Sequence, residues 1–265
     1  MLRIRVPADP FTLKYPIVME QQVNKQRSPR RNFLGMRTNG AALVGLSAFA
    51  RPLRLSATRS GGDRASADMG ETNEYDQWFG KLSGTHRVVY DVTQPHAIFP
   101  FAWPRVFLMT NEKTGTPATD CGVVVVLRHD AIGYAFQDTM WEKYGFAEVF
   151  HANDHGPAFQ AADAATAAKT RNPFYNTKPG DFKAPGIGAV DIGIRDLQAN
   201  GVMFCVCQTA MTVYSAAVAG GMGLKPEEVL QDWEAHLIPG IQVVPSGVWA
   251  LGRAQERGCA YIFAG

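Results

Sequence analysis

The stretch "CGVVVVLRH", Cys121 to His129, sets four valines in a row between a cysteine and a cationic pair. Four β-branched residues without polar alternation bury a strand on both faces, and that is the mark of a central strand in a parallel sheet. A parallel sheet needs crossover connections, so helices should alternate with strands on either side. Upstream, "HRVVYDV" (His86 to Val92) reads as a second strand. Between the two, Ala97 to Asn111 is apolar but interrupted by Pro100 and Pro104, and reads as an irregular helix. Downstream, Phe136, Met140, Trp141 and Tyr144 recur at helical spacing, which predicts a helix from Ala131 to Tyr144.

From Phe150 to Gly188 the pattern dissolves into Gly, Pro, Asn and Asp. A short helix is expected in "AADAATAAKT". A long irregular insertion of this kind reads as a lid or binding loop. Regularity returns with a helix from Asp191 to Ala199 and a buried strand from Gly201 to Cys207. The helix after it should run from Gln208 to Ala219 and stop at Gly220 and Gly221. Pro226, followed by Glu227 and Glu228, opens another helix, which Pro239-Gly240 ends. "IQVV" is a strand, Ser246 caps a helix running to Arg257, and "CAYIF" is the last strand. The expected fold is a three-layer α/β domain, a mainly parallel five-stranded sheet flanked by helices.

In such a sheet, ligands bind outside the carboxyl ends of the strands. That rule selects Arg128, His129 and Asp130 on one strand and Cys207 on another. Cys207 also precedes a helix, where orphan backbone N–H groups and the helix dipole favour a thiolate nucleophile. A nearby His129 would add positive charge or act as its base. The alternative is a buried small hydrophobe. Cys205 lies two residues earlier, on the same strand face, and reads as core. Cys121 and Cys259 sit at the amino ends of their strands and could pair only if those strands were adjacent. Arg171 and Asn172, in the long loop, are candidates to bind an anionic substrate. His151 and His155 have i, i+4 spacing, but Gly156-Pro157 follows at once, so both read as a solvated loop rather than a metal pair. There is no G-x-G-x-x-G, no P-loop and no G-x-S-x-G elbow, so redox-nucleotide and phosphoryl chemistry find no motif here.

The 26 Lys and Arg balance 24 Asp and Glu to a net charge of +2, which argues against nucleic acid as a partner. Four cysteines in 265 residues do not make a disulfide scaffold. Before the domain, "SPRRNFLG" carries Arg30 and Arg31, and "GAALVGLSAFA" follows. The pattern resembles a twin-arginine (Tat) export signal, with Ala48-Phe49-Ala50 as a small-x-small cleavage site. The apolar run is too short for a permanent membrane span. Residues 1–50 are thus expected to be a signal segment, with Met19 as an alternative start. Residues 51–70 read as a flexible linker and 71–265 as the α/β domain, located in the periplasm.

Three segments, "VVVVLRHDA", "IRDLQANGVMFCVCQTA" and "LIPGIQVVPSGVWALGRAQERGCAYIFAG", resemble the DsrE/DsrF-like family of sulfur-relay proteins. A strand ending in a cysteine, a helix, and then the P-G and VVPSG elements carry the resemblance. It implies an α/β domain, a homo-oligomer (trimer or hexamer) and, in some members, persulfide on a cysteine. Cys207 matches that cysteine, and His129 matches a histidine found after the central strand in one branch. The resemblance implies a sulfur donor or acceptor protein as partner and no cofactor. The apolar residues Trp233, Leu237 and Trp249 fit an oligomer interface. Two functions follow as expectations: a periplasmic persulfide carrier or sulfurtransferase-like protein, or a non-catalytic protein that binds a small ligand or partner in the same crevice.

Overall fold

Seven consecutive buried residues, Cys121–Leu127, form the strand at the centre of the molecule (β2). The computed structural model describes residues 74–265; the twin-arginine segment with Arg30 and Arg31, and the linker, lie outside the described residues. Elements in chain order are α1 (Glu74–Gly80), β1 (His86–Val92), α2 (Phe99–Lys113), β2, α3 (Asp138–Tyr144), α4 (Phe146–Val149), α5 (Ala167–Thr170), the two-residue strands β3 (Lys183–Ala184) and β4 (Gly188–Ala189), and α6 (Ile194–Ala199). Then come β5 (Met203–Cys207), α7 (Gln208–Met222), α8 (Pro226–Ala235), β6 (Ile241–Val244), α9 (Gly247–Glu256) and β7 (Ala260–Phe263).

The main sheet has five strands in the order β6-β5-β2-β1-β7, all parallel. The fold is therefore the three-layer α/β domain that the valine run implies. From β1 through β2 and β5 to β6 the chain steps one way across the sheet. From β6 it returns past the whole sheet to β7. Right-handed crossovers put connections of opposite direction on opposite faces. The larger face buries Val123, Val125 and Leu127 under side chains of α2, α7 and α8. The smaller face buries Val124 and Val126 under Trp78 and Phe79 of α1 and Ala250, Leu251 and Ala254 of α9. Each fully buried valine contributes about 1.5–3 kcal/mol relative to exposure.

Several elements differ from their sequence readings. Helix α2 runs unbroken through Pro104, with a second proline in its first turn where no amide is needed. The single helix expected over 131–144 is a 3-10 segment, His129–Ala135, followed by α3. The break has a tertiary cause: Phe136 bridges to Leu237, and the Gln137 amide donates to the His236 carbonyl (3.0 Å). Helix α7 continues through Gly220 and Gly221 and stops at Gly223, whose φ of 68° supplies the left-handed cap.

The insertion at 150–188 packs its aromatic residues onto the body. Phe159, Phe174 and Phe182 are buried in the main core, with Phe174 and Phe182 stacked at 5.0 Å. His155 is likewise not in a solvated loop. It is 4 % exposed and packs against Tyr134, Phe159 and Phe174. Trp233, Leu237 and Trp249 do not form an exposed interface either: Trp233 is fully buried and the other two are partly buried against the cores.

One close approach near the start of β2 is testable. A Cβ on Gly122 would lie 2.3 Å from the Ser83 carbonyl oxygen. Gly122→Ala should therefore cost about 1–3 kcal/mol, as overpacking does, read as a lower urea midpoint with unchanged slope.

Candidate functional site

Cys207 is the last residue of β5 and the N-cap of α7. Its Sγ accepts the Ala210 amide at 3.3 Å. At a backbone φ of −75° the strand is already turning, so the side chain leaves the face Cys205 occupies. Cys205 packs into the smaller core and Cys207 joins the larger one, which corrects the reading that placed both on one face. Cys205 is wholly buried, and burial pushes its thiol far up. Cys207 retains 7 % exposure, the same as Cys121 and Cys259. All four cysteines are free, and β1 lies between the strands of Cys121 and Cys259.

Strand β2 pairs with β5 up to Leu127 and Val206, so Arg128 emerges beside Cys207. The two interact electrostatically, and the sulfur itself sits at a helix N-terminus, where negative charge is favoured. Arg128 is fixed by a two-pronged bond to Asp91, Nε to Oδ1 at 2.7 Å and Nη2 to Oδ2 at 2.9 Å. Tyr261 of β7 also donates to Asp91, at 2.7 Å. The carboxylate holds the Arg128 pKa above its ordinary value and, as an acceptor, raises that of Tyr261 as well. Gly247, at the start of α9, makes room for the arginine stem: a Cβ there would fall 2.6 Å from that of Arg128. Ser246 caps α9 by accepting the Trp249 amide at 3.2 Å.

His129 goes elsewhere. Its φ of 52° lies in the left-handed region, which swings the chain out of the strand. The ring meets Asp130 (Nδ1 to Oδ1, 3.3 Å) and packs edge-on to Tyr214, two turns along α7 from Cys207. The Tyr214 hydroxyl donates a short hydrogen bond to Asp130, and burial, aided by that bond, raises its pKa. The structure therefore sets Cys207 and Arg128 at the adjacent ends of β5 and β2, with an electrostatic interaction between them, and joins His129 and Asp130 in a separate group with Tyr214.

Arg171 and Asn172 are corrected as substrate ligands. Arg171 forks onto Asp163 with two bonds of 2.7 Å. Asn172 is fully buried, donates to the carbonyls of Tyr134 and Phe136 at 2.9 Å and accepts the Phe174 amide at 3.0 Å. Arg171 braces the insertion internally, and Asn172 holds it to the body. Asp91, Tyr261 and Tyr214 were missed. An aspartate inside the apolar run "VVYDV" was the available signal, because a buried carboxylate demands a partner. Among the described residues no group of three or more His, Cys, Asp or Glu is placed to hold a metal ion. None of the described helices is long and apolar enough to cross a membrane. A groove of about 530 Å³ lies at the opposite end of the sheet, lined by Trp78, Lys81, Cys121 and Met203 among others. Strand polarity assigns chemistry to the carboxyl edge instead.

Fold and site together define a parallel α/β domain with a thiol capping a helix at the carboxyl edge of its sheet. No protein-family model and no curated protein matches the chain. Among solved structures, it is similar to a protein of unknown function, MTH1491, from Methanobacterium thermoautotrophicum, at 16 % identity and a TM-score of 0.34, over 67 % of this chain and 98 % of that one.

Proposed function

We propose that this protein is a periplasmic sulfur handler that carries sulfane sulfur on Cys207, as a persulfide carrier or a sulfurtransferase-like enzyme. The observation that carries this reading is the position of the Cys207 sulfur, at the N-terminus of α7 and beside Arg128. The resemblance of the cysteine-bearing segments to the DsrE/DsrF-like family supports it, and Arg30-Arg31 supports export by the twin-arginine route. In the step proposed, the Cys207 thiolate attacks the outer sulfur of a donor persulfide, R–S–SH. The donor S–S bond breaks, a new S–S bond forms on Cys207, and R–S⁻ leaves. One thiolate replaces another, so no oxidant is needed. Arg128 stabilises the anionic sulfur as attacker, and later as persulfide. A homo-oligomer, with a donor or acceptor protein as further partner, belongs to the same reading.

The low exposure of Cys207 favours a second reading, in which the thiol only caps the helix and the crevice binds a small ligand or a partner protein. Cys207, Cys121 and Cys259 share the same exposure and differ in surroundings, so their alkylation rates separate the two. Burial raises the thiol pKa of both Cys121 and Cys259, and Asp120 adds to the rise at Cys121. If Cys207 is the sulfur carrier, it should alkylate at neutral pH about tenfold or more faster than either, with Cys205 slowest. After incubation with a donor persulfide, peptide mass spectrometry should find one added sulfur on Cys207 and none in Cys207→Ser. Equal rates with no added sulfur would leave the binding reading.

A further inference from the structure

The last strand of the sheet is bare. All four residues of β7 are exposed, with Tyr261 at 46 %, Ile262 at 38 % and Phe263 at 57 %. Among the described residues it stands at the edge, paired with β1 alone. Edge strands of this kind are ordinarily protected by lysine, proline or a covering element. Residues 258–265 contain neither proline nor any charged side chain. Helix α2 extends the apolar surface. Tyr90, which pairs with Ile262, donates its hydroxyl to the Trp103 carbonyl, and Trp103 and Val106 are both 40 % exposed. Side chains alternate along the strand, so Ile262 shares the α2 side of the edge with Trp103 and Val106, and Tyr261 and Phe263 lie on its other side. Around the edge the five expose on the order of 500 Å², more than half of the roughly 800 Å² that one partner gives to a standard interface.

The backbone says what fits there. Residues of a parallel strand turn their amide and carbonyl alternately to one neighbour and the other. The Ala264 amide donates to the Asp91 carbonyl, so Ala260, Ile262 and Ala264 face β1, and Tyr261 and Phe263 turn their polar groups outward. Two such edges are complementary to each other. Antiparallel about a two-fold axis at Ile262, Tyr261 of each copy meets Phe263 of the other, and each pair exchanges two hydrogen bonds. The absence of charge on this segment matters for self-pairing, because a two-fold axis sets each residue near its own copy.

We propose that β7 pairs with β7 of a second copy in this way, joining two sheets into one. The inference rests on the edge alone and is independent of sulfur chemistry at Cys207. Light scattering on the full chain at about 100 µM, above the micromolar Kd that a small interface supports, should show a dimer or an assembly containing that two-fold. Ile262→Lys sets two ammonium groups against each other and should give monomer with an unchanged far-UV spectrum. Ile262 faces its copy in a non-hydrogen-bonded pair, with Cα atoms about 4.5 Å apart, within disulfide range. Ile262→Cys should therefore form a covalent dimer under mild oxidation that wild type and Phe263→Cys do not. A monomeric wild type, a trimer without two-folds, an Ile262→Lys protein that keeps the wild-type assembly, or an Ile262→Cys protein that does not cross-link would each overturn the proposal. If Ile262→Lys fails to fold, the cross-link decides. Sulfur transfer to Cys207 is read separately by mass spectrometry, so either idea can fail alone.

Discussion

Arg128→Ala lowers the unfolding free energy by about 3 kcal/mol, the lower end of the range for breaking a buried ion pair. The side chain of Asp91 is 2 % exposed and that of Arg128 is 29 % exposed. Removing the guanidinium leaves a carboxylate in the interior with one hydroxyl donor, from Tyr261. The cost is mainly that of an uncompensated buried charge, so it should fall when the charge is removed too. Asp91→Asn in the same chain should recover a large part of the loss. Urea midpoints of the two single variants and the double variant complete the cycle. A loss under about 1 kcal/mol in Arg128→Ala would place the pair among weak surface bridges. The same variant tests the site: if Arg128 is the charged neighbour of Cys207, alkylation of Cys207 slows in Arg128→Ala, while His129→Ala leaves it nearly unchanged.

Acid should destabilise the domain through His155. Burial, with help from the charge of Arg171, pushes its pKa down to about 4, and Asp154 opposes the shift only in part. The unfolded chain titrates near 6.5. Above that pH both states hold a neutral ring, and the stabilisation is fully present. Between about 6.5 and 4 the unfolded chain takes up a proton that the folded protein refuses, so stability falls with pH, by about 3 kcal/mol in all. His155→Phe keeps an aromatic ring among Tyr134, Phe159 and Phe174 and removes the imidazole Nε2, which is buried without a hydrogen-bond partner. The variant should lose stability less steeply from pH 6.5 to 4 than wild type, by that difference. Parallel pH curves for the two proteins would show that His155 does not carry the linkage.

The parts of the fold that local pattern dictates were readable before any coordinates. Four valines without polar alternation require burial on both faces, and β2 is buried throughout. Ser246 is followed by a helix that it caps. What could not be read depends on distant partners. The helix expected over 131–144 breaks because Gln137 finds a carbonyl far along the chain, at His236. The insertion looked solvated because its buried aromatics follow neither a helical nor a strand period. At the site, chain polarity was enough to place Cys207 and Arg128 at one sheet edge. The direction of His129 depends on its own left-handed backbone, which no motif announces. Arg171 and Asn172 looked free in sequence because Asp163 lies in the preceding helix-like stretch and the carbonyls of Tyr134 and Phe136 lie far upstream.

The return of the chain from β6 to β7 also orders events during synthesis. Strand β1 is made early, yet one of its two neighbours is residues 260–263, made after every other strand of the sheet. Until then β1 has an open side and Asp91 lacks the Tyr261 hydroxyl. A ribosome-bound chain can already hold Cys207 in β5 while the polar network next to Arg128 is incomplete. Closing a contact of such long sequence separation is a slow step. The polar surroundings of Arg128, next to the thiol-bearing strand, are therefore complete only once residues 260–263 have joined β1.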